Sequence, residues 1–270
     1  MKIIYTLLVL VFSFNLIPVQ GQTDRNREEA LKLLEKGEAA LAREKMNEAI
    51  KIAPEIGENH YVMGRVLIAL SNSQEAIKSF NKADSLKFES AELHLFKGIA
   101  CYLTGKTNDA LLSYEKSQKL GDRDYRLYYN RAMLYTDLGR IDDAMTDLNS
   151  ALDLKPDYAE AILQRAIVSY EDEKFKNAIR DCDKAIELKP DLADAYYYRA
   201  LSKGEIGIDK SAIDDFSKAI ELNPNHDNAL NSRGSVKYLS GNLKGACYDW
   251  EKAKKLGNEE AELNYDTNCQ

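Results

Sequence analysis

Residues 159–192 read AEAILQRAIVSYEDEKFKNAIRDCDKAIELKPDL, and residues 193–226 read ADAYYYRALSKGEIGIDKSAIDDFSKAIELNPNH. Laid one above the other, they share Arg at the seventh place, Ala at the eighth and twentieth, Asp at the twenty-third, and Pro at the thirty-second. The same period runs through the chain: four of the five prolines stand at 54, 156, 190 and 224, spaced 102, 34 and 34 apart. Rows of 34 starting at Thr23 fill residues 23–56, 57–90, 91–124, 125–158, 159–192, 193–226 and 227–260 with no insertion. Internal repetition on this scale means one supersecondary unit used many times.

The columns show what that unit is. Position 20 is Ala42, Ala76, Ala110, Ala144, Ala178, Ala212 and Ala246; position 27 is Ala in every row except Ser117; position 8 is always Ala or Gly. Position 24 is large in most rows, from Met46 and Phe80 to Trp250. Position 15 is glycine in five rows, and Pro or Gly at 31 or 32 closes most of them. Two helix-length segments, at positions 2–14 and 18–30, are thus joined by a tight turn. Small residues let the two helices approach while the residue at 24 fills the space beside them. A lone hairpin of this length buries too little apolar surface to fold, so the rows must stack.

Composition agrees. The chain is 44% hydrophobic and 30% charged, which excludes disorder, and its net charge of −7 comes with no basic stripe, which excludes nucleic acid as a partner. Residues 1–21, MKIIYTLLVLVFSFNLIPVQG, place Lys2 before an apolar run from Ile3 to Phe14. They read as a signal peptide cleaved near Gly21 rather than a transmembrane anchor, since Asn15 and Pro18 interrupt the run too early. The mature chain is expected outside the cytoplasm, periplasmic or secreted, with no integral membrane span. The absence of Asn-x-Ser/Thr sequons leans toward a bacterial source. No cysteine follows the cleavage region to carry a lipid anchor.

Chemistry is not legible in this sequence. There is no Gly-rich phosphate loop, no His-Glu-x-x-His and no Gly-x-Ser-x-Gly, and the repeats leave no room for a catalytic domain, so no enzyme activity and no cofactor are expected. His60 and His94 share position 4 but no Cys, Asp or Glu column completes a metal site; they read as packing residues with satisfied ring nitrogens. Asp142, Asp143, Asp214 and Asp215 read as helix-surface carboxylates. Cys101 and Cys182 read as small buried apolar residues. Cys247 and Cys269 meet only if the tail folds back on the last helix.

The pattern over 23–260 resembles the tetratricopeptide repeat family. The resemblance implies an all-α, right-handed α-solenoid of helical hairpins, whose first helices line a concave groove that holds partner proteins or peptides. The family usually adds a solvating helix at the end; within residues 261–270, only AELNY (261–265) offers a short one, so imperfect capping is expected.

Two columns switch together. Position 7 is Arg131, Arg165, Arg199 and Arg233, and position 23 in the same rows is Asp147, Asp181, Asp215 and Asp249; row one inverts the signs with Glu29 and Lys45. In rows two and three the columns lapse to Met63 with Ser79 and Lys97 with Ser113. Where both charges are present, an ion pair joining the two helices of the repeat is expected, contributing about 0–1 kcal/mol if partly exposed.

By the same resemblance, positions 2, 5, 6, 9, 12 and 13 face the groove. This designates Tyr61, Leu95, Phe96, Tyr102, Tyr129, Gln164, Tyr170, Tyr197 and Tyr198, with Arg126 and Asn130 placed to hold one peptide carboxylate or backbone amide. The wider set of a two-carboxylate clamp is missing. An apolar, tyrosine-rich groove for a peptide or protein segment is the expectation; part of this surface is equally suited to packing between adjacent first helices. In the run Tyr196–Tyr197–Tyr198, Tyr196 is expected in the core and the other two toward the groove. A permanent subunit or assembly factor of an envelope or secretion complex is the alternative role.

Overall fold

The computed structural model describes residues 19–121 and 123–269. The signal-peptide reading falls outside the described residues as far as residue 18. All regular structure among the described residues is helical, in two compact units. The first holds α1 (Val19–Glu35), α2 (Ala39–Ile52), α3 (Gly57–Ala69), α4 (Ser73–Ser85), α5 (Ala91–Leu103) and α6 (Thr107–Lys119). The second holds α7 (Tyr125–Asp137), α8 (Ile141–Leu154), α9 (Ala159–Glu171), α10 (Phe175–Leu188), α11 (Ala193–Glu205), α12 (Asp209–Leu222), α13 (Asp227–Leu239), α14 (Leu243–Lys255) and α15 (Glu259–Asn268). Each row of 34 is one hairpin, and within each unit successive hairpins pack on one another.

The small-residue columns are the seams. All seven position-20 alanines and all seven residues at position 27 are completely buried. Ser117, the exception among the alanines at 27, donates its hydroxyl to the Ala91 carbonyl at 2.8 Å, which removes the cost of burying it. Glycine takes position 8 where position 24 is Phe80, Tyr114 or Trp250. A Cβ added to Gly64, Gly98 or Gly234 would stand 2.4, 2.5 or 2.7 Å from the facing ring.

The turn at position 15 is left-handed in every row, including the two without glycine, where Ser71 and Glu173 adopt φ of 57° and 55°. Row two ends with neither Pro nor Gly; Lys87 takes φ 64° at position 31, the place that Gly121 and Gly257 occupy in rows three and seven. The backbone requirement is therefore constant while the residue that meets it varies.

The ion-pair columns join the two helices of five hairpins, in rows one and four to seven. Nε and Nη2 of Arg131, Arg165, Arg199 and Arg233 grip both carboxylate oxygens of Asp147, Asp181, Asp215 and Asp249 at 2.6–2.9 Å. Lys45 and Glu29 form the inverted pair at 3.2 Å. The four Arg–Asp pairs are more buried than the surface-pair expectation assumed: the Asp249 side chain has no exposure and that of Arg131 has 8%. For Arg199, burial works against the charged form, but its bonds to Asp215 and Asp183 prevail and raise its pKa.

The tail is a full helix. Asn258 caps it by accepting the Ala261 amide at 2.8 Å, Ala261 is buried against α14, and a disulfide joins Cys247 to Cys269. The imperfect cap anticipated above is thus replaced by a ten-residue helix fixed to α14. It begins two places early in the 34-residue register, at Glu259, directly after its cap Asn258.

Candidate functional site

In the first unit, Tyr61 and Leu95 are 5% and 0% exposed, so both fill the seam between adjacent first helices. Tyr61 donates its hydroxyl to Glu92 Oε2 at 2.9 Å, and its ring stacks on Phe88 at 5.4 Å. Burial is the main cause that raises its pKa. Phe96 and Tyr102 are half-buried, and the Arg65 guanidinium lies 4.8 Å above the Phe96 ring.

In the second unit, Arg126 is bound to Asp124, the residue that caps its own helix. Burial resists ionisation of Asp124, yet the bonds from Arg126 hold its carboxyl below the usual range. Asn130 donates to the Arg126 carbonyl at 2.7 Å. The two groups designated for a peptide carboxylate are therefore engaged locally. Tyr129 packs edge-on against Tyr158, 5.0 Å between centroids, and Gln164 is buried, 3.5 Å from Thr136 Oγ1.

The remaining three tyrosines form one aromatic strip. Tyr170 meets Phe175 at 5.7 Å and Tyr198 at 5.9 Å; Tyr198 meets Tyr197 at 5.1 Å; Tyr197 reaches Phe216 at 6.0 Å and His226 at 4.7 Å. Burial, followed by Tyr197 and Glu171, pushes the Tyr198 hydroxyl up to about 12. Tyr196 departs from expectation. It is half-buried rather than enclosed: it packs at the edge of the Phe216 cluster, and the Arg199 guanidinium lies 5.3 Å over its ring. His94 is buried as expected, but its Nε2 has no hydrogen-bond partner, so the ring nitrogen is not satisfied.

Beside the strip lies a cavity of about 370 Å³ between α11, α13 and α15. Leu201, Phe216, Val236 and Leu239 supply its apolar wall; Ser232, Ser235, Glu205 and Glu260 supply polar groups. It exists because position 12 of this row is Gly204, where rows three and five have Tyr102 and Tyr170. A Cβ on Gly204 would meet nothing within 4 Å. Sequence reading missed this feature, although the gap in the position-12 column was its signal. Glu260 also accepts from Asn231 Nδ2 at 3.0 Å, so α15 is a built part of the wall.

No group of three or more His, Cys, Asp or Glu residues among those described is placed to hold a metal ion. No described helix is long and apolar enough to cross a membrane.

Family models for the tetratricopeptide repeat match residues 57–90, 125–158 and 194–226, in register with rows two, four and six. No curated protein matches. Among solved structures, a chain of the APC/C hetero-tetramer Cut9–Hcn1 is 16% identical with a TM-score of 0.77 over 92% of this chain; this chain spans about half (49%) of that one. A tetratricopeptide repeat protein from Parabacteroides merdae is 20% identical with a TM-score of 0.66, covering 92% of this chain and 99% of the other. YrrB, described as a tetratricopeptide repeat protein with an unusual peptide-binding site, is 21% identical with a TM-score of 0.59, covering 70% and 97%. At these identities the likeness concerns the fold. Together with the seven tandem helix pairs among the described residues and the register of the family matches, it establishes that the chain belongs to the tetratricopeptide repeat family and is built as an α-solenoid.

Proposed function

We propose that the protein is a non-catalytic scaffold, working outside the cytoplasm, that holds a peptide or protein segment on the first-helix face of its second unit. The observation that carries this reading is the 370 Å³ cavity floored by Phe216, whose ring the half-buried Tyr197 meets at 6.0 Å, an opening that packing alone does not require. Tyr170, Tyr197 and Tyr198 give an amphipathic surface with little conformational entropy to lose. The groove expectation thereby narrows in the second unit, from a face common to all rows to the stretch around α11. The signal-peptide pattern of residues 1–21 and the Cys247–Cys269 disulfide support an oxidising, extracytoplasmic setting.

The test is affinity capture with the wild-type protein, Gly204→Tyr, which refills the cavity, and Tyr198→Ala, which opens the strip. Loss of specific partners by both variants is the expected result; capture of the same partners at the same strength overturns the reading. Recovery of uncleaved protein from the cytoplasmic fraction overturns the location.

The alternative role, a permanent subunit of an envelope or secretion complex, draws on Leu239 and Leu263, which are 82% and 67% exposed. Co-purification with partners in a fixed ratio, with aggregation of the isolated protein, favours it over reversible docking.

A further inference from the structure

The cavity between α11, α13 and α15 has an apolar floor and an acidic rim. Phe216, 1% exposed, and Leu201 and Val236 form the floor. Glu205 and Glu260 stand at the rim, and no Lys, Arg or His lines the cavity. Neither glutamate has an ion-pair partner among the described residues. On the other side of the same first helices the balance is reversed: Asp215 takes both Arg199 and Lys203, and Asp249 takes both Arg233 and Lys237. Cations are thus drawn to the hairpin seams and leave the cavity side with uncompensated negative charge.

That charge continues along the aromatic strip. Glu205 and Glu171 both occupy position 13, in α11 and α9, and Glu171 likewise has no ion-pair partner among the described residues. The Glu205 charge acts on Tyr170 and the Glu171 charge on Tyr198, so carboxylates and ring faces lie within one another's field. A ring face beside carboxylates attracts Lys or Arg both by its quadrupole and by simple Coulomb attraction.

We infer that the occupant of this site is a basic–apolar polypeptide segment: an apolar side chain seated over Phe216 in the space left by Gly204, with an adjacent Lys or Arg on Glu205 and Glu260. Charge complementarity decides the occupant, because an acidic or purely apolar segment would bury these carboxylates without a partner. Ser235, whose hydroxyl donates to the Asn231 carbonyl at 3.1 Å, and Ser232, bonded with Tyr197, keep oxygen lone pairs that can accept from the segment's backbone. The inference rests on the groove reading given above and adds the chemistry of the partner.

The test pans a random 12-residue phage-displayed peptide library on the intact protein, then measures fluorescein-labelled winners by anisotropy. The expected winners carry Lys or Arg within two residues of Leu, Ile, Met or Phe. Their Kd rises at least tenfold with Gly204→Tyr, and at least tenfold with the double variant Glu205→Gln/Glu260→Gln, whose amide oxygens can still accept from Asn231. Binding also weakens between 50 and 500 mM salt. Far-UV circular dichroism checks that both variants fold. Winners without basic residues, or winners lost with Gly204→Tyr yet untouched by the double variant, overturn the inference and leave the groove reading standing. Winners untouched by Gly204→Tyr, or no winners at all, count against both. If sedimentation shows a dimer that Gly204→Tyr dissolves, a second copy is the occupant and the inference falls.

Discussion

Arg233 holds both carboxylate oxygens of Asp249 in its own hairpin, at 2.8 and 2.7 Å, and extends its remaining arm, Nη1, to Ser217 of the preceding hairpin at 2.9 Å. The arrangement repeats: Arg199 joins Asp215 to Asp183, and Arg165 joins Asp181 to Asn149. Each of these three arginines is therefore both a brace within its repeat and a staple to the one before it. Planarity of the guanidinium makes this double use possible; lysine has no second prong.

Removing one member leaves buried charge without a partner. Asp249→Ala strands Arg233 and Lys237 beside an empty, fully buried position, and a loss of about 3–5 kcal/mol is expected in denaturant melts. A double-mutant cycle on Arg199→Met and Asp215→Leu should show coupling above about 1 kcal/mol, with the double variant recovering part of the single losses. Additive losses would mean that the pair is incidental to hairpin geometry.

Gly98 faces Tyr114 so closely that an added methyl would lie 2.5 Å from the ring. Gly98→Ala should destabilise the first unit by about 1–3 kcal/mol, despite alanine's better helix propensity. Adding Tyr114→Leu should restore most of the loss, since row four already pairs Ala132 with Leu148. Thermal melts of the two variants decide this; a stabilising Gly98→Ala would show that the seam can relax.

Much of this fold can be read from columns because each column is a physical constraint repeated seven times. Alanine at 20 and 27 marks close helix approach, and the Arg–Asp columns switch together because the two side chains touch. The limits are equally specific. Ser71, Glu173 and Lys87 show that a left-handed turn can be imposed by the stack without a glycine to announce it. Tyr61 and Leu95 share position 5, and a helical wheel gives their face but not how tightly the next first helix closes over them. The helix α15 escapes a strict 34-residue register by its early start. The cavity is written as a missing side chain at Gly204, and an absence is hard to weigh until its neighbours are placed.

His94 sets an acid limit on the first unit. Burial is the main cause that lowers its pKa from 6.5 to about 4; Lys116 and Lys97 push the same way, and Asp84 and Glu89 oppose them. The folded form thus refuses a proton that the unfolded chain accepts. Stability is unaffected above pH 6.5 and falls as the pH drops toward 4, by an amount on the order of 3 kcal/mol. His94→Leu, matching Leu230 at the same position, should flatten that part of the pH profile. Carboxylate protonation is common to both proteins, so identical profiles from urea melts at pH 7 and pH 4.5 would rule out the histidine as the cause.

The Cys247–Cys269 disulfide controls whether the last repeat keeps its cover. It closes a separation of 22 residues, and loop-closure entropy of that size corresponds to about 3 kcal/mol against detachment. Trp250, the only tryptophan in the chain, is 2% exposed in the cluster that α15 covers with Ala261, Tyr265 and Cys269. Reduction should therefore shift Trp250 emission to longer wavelength and open residues 259–269 to proteolysis, while the Arg–Asp stapled hairpins remain folded. Because Glu260 forms part of the cavity wall, the same treatment should weaken binding of a cavity ligand without any change on α11. A Cys247→Ser/Cys269→Ser variant separates loss of the bond from side reactions of the reductant. If its Trp250 emission, protease pattern and ligand affinity all equal those of the oxidised protein, contacts of Ala261 and Tyr265 hold α15 by themselves, and the disulfide has no part in maintaining the site.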